Sequence, residues 1–219
     1  IIVATMKTTK VLETNITETN INEVSKLLNF SSNNRVAICN ANTLVRSVKD
    51  LNIRNLINNF TIKTPDGFPV AKALTFLTKK KFSRVDGYKV FLQTISDGID
   101  TNRRHYFFGN NENTIEQMIE NLKKMFPNIQ ITGHICPEQM NAEELALKYK
   151  KDFQSINADI VWVSLGFPKQ EQFIENIYNQ VDSHINFVGI GGVFDWVAET
   201  KKKAPEWLAN MGLEWLLRL

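Results

Sequence analysis

The sequence predicts an α/β domain with a doubly wound, mostly parallel sheet and helices on both faces. Two observations carry this. Short apolar runs of strand length alternate with stretches of helical periodicity, and several of the runs end in glycine, asparagine or serine. Strands separated by helices of this length form βαβ units, whose crossovers leave the strands parallel. The 219 residues, 43% hydrophobic and 22% charged, are enough for one packed core, and no internal repeat, low-complexity stretch or long linker interrupts them. Residues 1–30 read as an N-terminal segment against the core and residues 31–219 as the α/β domain.

The elements follow in order. Arg35 to Cys39 is a buried strand, and Asn42 to Asn52 is the helix after it. Residues 55–63 are mixed, with a short strand around Phe60-Thr61-Ile62. Pro65-Asp66-Gly67 is a turn, because proline fixes φ and glycine tolerates φ > 0. Helices follow from Val70 to Thr78 and from Tyr88 to Ile99. His105 to Phe108 is a strand ending in Gly109. Asn113 to Met125 is an amphipathic helix with Ile115, Met118, Ile119, Leu122 and Met125 on one face. Ile129 to Gly133, Asp159 to Ser164 and Asn186 to Ile190 are strands. Between them lie helices from Ala142 to Gln154 and from Gln170 to Val181. Beyond Pro205 the spacing of Trp207, Leu208, Met211 and Leu216 predicts a helical end.

Bulk charge excludes little and suggests little. A formal net charge of +3 gives no reason to invoke nucleic acid. Lys79-Lys80-Lys81 and Lys201-Lys202-Lys203 are either solvated surface or basic clusters facing phosphates or an anionic membrane. Cys39 and Cys136 lie far apart with no metal-like spacing, so both read as free thiols in a reducing compartment. No segment is apolar enough to span a bilayer or to act as a signal peptide. The expectation is a cytoplasmic protein, peripheral at the inner face of the cell membrane.

In an open parallel sheet, ligands bind at the carboxyl ends of the strands, near the switch in strand order. Polar and glycine residues just after a strand are therefore the candidates. Asn40 and Asn42 could bind a sugar hydroxyl or a uracil edge, or Asn40 could simply cap a helix. Asp66 is either a structural turn residue or a general base. Gly109 could present backbone N–H groups to a phosphate, although no dinucleotide glycine fingerprint surrounds it. In Ser164-Leu165-Gly166-Phe167-Pro168-Lys169-Gln170-Glu171, helix capping explains most residues. A lysine in a first turn opposes the helix dipole, however, which points Lys169 or Gln170 toward a ligand. Gly189-Ile190-Gly191-Gly192-Val193-Phe194-Asp195-Trp196 is either a glycine-rich turn over core aromatics or a pocket where backbone meets substrate.

The order of these signals, over about residues 30–219, resembles the WecG/TagA/CpsF family of glycosyltransferases. The resemblance is carried by Asn40 and Asn42, Pro65-Asp66-Gly67, Ser164 to Glu171, Gly189 to Asp195, Lys203-Ala204-Pro205-Glu206-Trp207 and Gly212 to Leu219. It implies a Rossmann-like fold and inverting, metal-independent transfer of an N-acetylhexosamine, often N-acetylmannosamine. The implied donor is a UDP-sugar and the acceptor a polyprenyl-diphosphate-linked lipid, in cell-surface polysaccharide or teichoic acid synthesis. By position, Asp66 matches the proposed base. Asn42, Arg84, Gln170 and Asp195 match residues associated with the donor, and Gly166, Glu171 and Lys203 lie in the same motifs. The sequence departs from the family at Asn40, where threonine is usual, and at Tyr88-Lys89, where an acidic residue follows the glycine. It departs again at His134-Ile135-Cys136, where Gly-Tyr-Phe is common. Family members also continue into a basic C-terminal appendage, expected to be missing here, so a neighbouring subunit of a homo-oligomer or the membrane is expected to complete the site. No cofactor and no metal is expected. A non-catalytic UDP-sugar or nucleotide-binding module is the alternative. A nucleotide-dependent oxidoreductase rests on fold class alone.

Overall fold

The computed structural model describes residues 6–181 and 184–201. The chain opens with a hairpin, β1 (Thr8–Val11) and β2 (Thr14–Thr17), followed by α1 (Ile21–Phe30). A six-stranded sheet then forms from β3 (Arg35–Cys39), β4 (Ile62–Pro65), β5 (Arg104–Gly109), β6 (Gln130–Ile135), β7 (Ile160–Ser164) and β8 (Asn186–Gly189). Its spatial order is β4-β3-β8-β7-β5-β6, and every pairing is parallel. The doubly wound prediction is correct.

Alternation along the strands feeds two apolar layers. Ala37, Cys39, Phe108, Val161, Val163 and Phe187 point to one face. There they meet α2 (Ala41–Lys49), α3 (Leu51–Asn58), α4 (Phe68–Thr78), α7 (Ala142–Ser155) and α8 (Lys169–Tyr178). Val36, Phe107, Ile160, Trp162 and Val188 point to the other, against α1, α5 (Gly87–Gly98), α6 (Glu112–Met125) and α9 (Val193–Val197). Strand side chains project alternately, so a strand buried on both faces reads as a continuous apolar run. Aromatic stacking reinforces each layer. Phe108 lies flat on Phe173 at 4.3 Å between ring centroids, and Phe91 meets Trp162 edge-on at 4.8 Å.

Three local features differ from the sequence expectation. The helix expected from Asn42 to Asn52 is two helices, because Asp50 is extended and its side chain caps α3 by accepting from the N–H groups of Asn52 and Ile53. The strand expected around Phe60-Thr61-Ile62 runs instead over Ile62–Pro65. Pro65 is tolerated because β4 is the sheet's end strand. The N-terminal hairpin, α1 and α9 have no counterpart in the expectation. α1 begins with a capping box in which the Asn20 side chain and Glu23 exchange bonds with each other's backbone. Its far end is held by Asn186, whose side chain accepts from Asn34 and donates to the Leu28 and Ser31 carbonyls. The helical end expected beyond Pro205 lies outside the described residues.

Candidate functional site

From β3, β8, β7 and β5, neighbours in the sheet, the chain leaves toward alternate faces. After β3 it passes to α2 on one side, and after β8 to α9 on the other; after β7 it passes to α8, and after β5 to α6. Such divergence opens crevices at the carboxyl rim of the sheet. One crevice, of about 550 Å³, gathers residues that follow β3, β4, β7 and β8.

Asp66 sits where β4 ends. Its N–H donates to the Cys39 carbonyl at 3.0 Å, which locks it beside the end of β3. Gly67 then takes φ +82°, a left-handed turn that lets the chain enter α4 at once. Across the crevice Arg84 donates from Nε to Asp66 Oδ1 at 3.1 Å. The same Nε lies 3.9 Å from Asp86 Oδ2, and Asp86 caps α5 by accepting from the Lys89 N–H at 2.9 Å. Asp66 is thus a carboxylate fixed by its backbone and by a guanidinium, with its side chain still 16% exposed to the crevice. A carboxylate held in this way can accept a proton from a ligand hydroxyl.

The β7–α8 corner forms the floor. Gln170 is buried; its Oε1 accepts from the Gly191 N–H at 3.0 Å and its Nε2 donates to Glu171 Oε1 at 2.8 Å. From the other side Ser164 donates its hydroxyl to the Gly191 carbonyl at 2.6 Å. The corner after β8 is therefore pinned through both of its backbone polar groups. Glu171 is only 2% exposed, and its Oε2 has no hydrogen-bond partner among the described residues. Burial pushes its carboxyl up to about 7. The Phe167–Pro168 peptide on the adjoining wall is cis.

A second cavity, of about 660 Å³, lies on the far side of this corner, lined from β5, β6, β7 and β8. Gly166, Gly191, Gly192, Asp195 and Lys201 line both spaces and form their common wall. Asp195 opens the first turn of α9; it accepts from Asn110 Nδ2 at 3.2 Å and pairs with Lys201 Nζ at 3.1 Å. Lys169 lines the second cavity and Gln170 the first, so the lysine that opposes the helix dipole and the glutamine beside it both reach cavities.

Eight of the sequence candidates converge on the first crevice: Asn40, Asn42, Asp66, Arg84, Gly166, Gln170, Glu171 and Asp195. Asn40 lines it while also capping α2 through the Thr43 N–H at 3.1 Å, so both of its readings hold geometrically. Gly109 lines neither cavity. It sits against β7, where a Cβ would collide with the Ser164 carbonyl, and its φ is +125°. Close packing, rather than ligand approach, accounts for that glycine. Lys203 lies outside the described residues. Sequence reasoning missed Asp86 and Asn110, while Lys201 belongs to the lysine run read as either solvated surface or phosphate-facing. Of these, Asp86 had a signal, an aspartate directly before a helical run.

Among the described residues, one grouping of three His, Cys or carboxylate side chains brings donor atoms within 4.8 Å of one another: Glu112, His134 and Cys136. None of the three lines the crevice.

A sequence profile of the WecG/TagA/CpsF glycosyl transferase family matches residues 9–219. A Bacillus subtilis (strain 168) N-acetylglucosaminyldiphosphoundecaprenol N-acetyl-beta-D-mannosaminyltransferase is 27% identical over 184 residues, covering 84% of this chain and 70% of the relative. The enzyme of the same name from Bacillus spizizenii is 32% identical, covering 71% of this chain and 58% of that protein. The Staphylococcus aureus (strain NCTC 8325) counterpart is 26% identical, covering 74% and 62%. The chain thus spans less than two thirds of the length of two of these relatives.

Proposed function

The chain belongs to the WecG/TagA/CpsF family of glycosyltransferases, and on that premise we propose that it transfers an N-acetylmannosamine-like sugar from UDP to a polyprenyl-diphosphate-linked acceptor with inversion. The observation that carries this reading is the Asp66 carboxylate, held by Arg84 in a crevice where amides and carboxylates from four strand ends meet. Asp66 takes the proton from the acceptor sugar hydroxyl. The freed oxygen attacks the anomeric carbon as the bond to the UDP oxygen breaks, and UDP leaves with the electron pair. Arg84 aligns the base. Lys169 and Lys201, at the second cavity, offer positive charge to a diphosphate. Two cavities joined by one wall suit a reaction with two substrates, where holding them together supplies much of the rate. We propose that no metal takes part and that the product is a cell-surface polymer precursor.

On this reading the transfer takes place at the inner face of the cell membrane, where a lipid acceptor meets a UDP-sugar. No helix among the described residues is long and apolar enough to cross a bilayer. A groove formed by the β1–β2 hairpin, α2 and α4 is apolar, and α4 begins two residues after Asp66. On it Phe76 is 72% exposed, Leu12 57% and Leu77 52%. Lys10 lines the groove, Lys79 lies over the Phe76 ring at 4.4 Å, and Lys80 and Lys81 follow. An exposed apolar patch rimmed by lysines suits an anionic membrane surface.

The test is Asp66→Asn in the full chain. Turnover with UDP-sugar and lipid acceptor should fall at least about 100-fold with donor binding retained. Unchanged turnover overturns the base assignment.

A further inference from the structure

We propose that Glu112, His134 and Cys136 form a binding site for a borderline-soft divalent cation such as Zn²⁺, outside the transfer crevice. The inference stands apart from the glycosyltransferase reading, since it uses none of the crevice residues.

The donors come from two elements that fold together. Glu112 is the first residue of α6. His134 lies in β6 and Cys136 one residue past its end. Two positions apart on extended chain, they project to the same side. The three donor atoms lie within 4.8 Å of one another, and His134 Nε2 is 2.6 Å from Glu112 Oε1. The Cys136 thiol lies beside them, within the same 4.8 Å. A tetrahedral cation with bonds of roughly 2.0–2.3 Å holds its donors roughly 3.3–3.8 Å apart. Side-chain rotation alone bridges that difference, because the Glu112 side chain is 59% exposed and His134 28%.

The chemistry balances. Thiolate, imidazole and carboxylate form a Zn²⁺-type donor set. On binding, the thiol proton passes to solvent, and the proton shared by His134 Nε2 and Glu112 is displaced, so that Nε2 binds the cation and the ring carries its one proton on Nδ1. The two anionic ligands then neutralise the dication. In effect the cation takes the place of the proton that now joins His134 to Glu112. Three protein ligands leave a fourth position for water, and the partial exposure of the cluster leaves it reachable. Cys136 is followed directly by Pro137 and Glu138 in the wall of the second cavity, so a bound cation would tie that wall to the start of α6.

Cobalt(II) is the probe. Added to the full, metal-stripped chain, one equivalent should give a thiolate-to-cobalt charge-transfer band with the intense visible bands of tetrahedral coordination. One equivalent of Zn²⁺ should abolish both. Cys39→Ser should keep the charge-transfer band, Cys136→Ser should lose it, and Glu112→Gln should weaken binding at least tenfold. Absence of the band at stoichiometric cobalt, or its survival in Cys136→Ser, overturns the proposal. So does thermal stability that responds to Cys136→Ser but not to Zn²⁺, the behaviour of a merely hydrogen-bonded triad.

Discussion

Replacing Glu171 with glutamine should stabilise the protein, and more so as the pH rises. The wild-type carboxyl is buried beneath the crevice with one oxygen lacking a partner among the described residues, and burial raises it from 4.5 to about 7. A raised acid holds its proton longer in the fold than in the unfolded chain. The native state therefore suffers no penalty below pH 4.5, a growing one between 4.5 and 7, and the full penalty above. At pH 8 that penalty is about 3 kcal/mol, and at pH 5 it is under about 1 kcal/mol. Glutamine keeps an acceptor for Gln170 Nε2 and carries no charge at any pH. Relative to wild type, Glu171→Gln should gain about 6–12 °C in Tm at pH 8, taking about 2–4 °C per kcal/mol for a chain of this size, and much less at pH 5. Paired thermal or urea denaturation at the two pH values reads the difference, and groups common to both proteins cancel. A gain that is equal at the two pH values, or a loss at both, would falsify the ionisation account. Donor affinity should follow: in wild type it should fall above pH 7 as the crevice floor turns anionic, and in the variant it should stay flat.

Burial lowers His105 to about 4, and its Nδ1 accepts from the Trp162 indole N–H at 3.1 Å. Its contribution to stability is complete above pH 6.5 and is lost as the pH falls toward 4; NMR should find a neutral ring with the proton on Nε2 at pH 5.5, and a ring titrating near 6.5 contradicts this. Gly109→Ala should fail to fold or lose several kcal/mol, because the new methyl meets the Ser164 carbonyl. Gly166→Ala, at φ +76° with open space around it, should cost only about 1–2 kcal/mol; equal melting temperatures for the two variants would refute the distinction. Asn40→Ala should lose about 1 kcal/mol of stability with its helix cap, and Asn40→Asp should recover it in chemical denaturation.

The central sheet was legible because its strands are buried on both faces. Val36 to Cys39, Tyr106 to Phe108 and Ile160 to Val163 leave few polar interruptions to mislead the eye. β4 was misplaced because Lys63 and Thr64 look like surface residues. Both are buried: Lys63 donates its ammonium to the Phe60 carbonyl, and Thr64 its hydroxyl to the Val85 carbonyl. The hairpin was invisible because its turn is Leu12-Glu13, with Leu12 rather than glycine or asparagine at φ +54°. The α2–α3 break and the start of α1 did carry signals, an aspartate and an asparagine each ahead of a helical run. In the site, the strand-end rule pointed to Asn40, Asn42, Gly166, Gln170 and Asp195, whereas Arg84 came from the family resemblance alone. The rule could not separate ligand-facing glycines from glycines required by packing, because that depends on which backbone lies opposite, and Gly109 faces β7.

The partition shared by Gly166, Gly191, Gly192, Asp195 and Lys201 has a kinetic corollary. A side chain introduced there intrudes on two chambers at once. Apparent Michaelis constants for the two substrates should then move together, whichever binds first. Substitutions at Asp66 or Asn42, each bordering one chamber only, are the ones able to separate the two affinities.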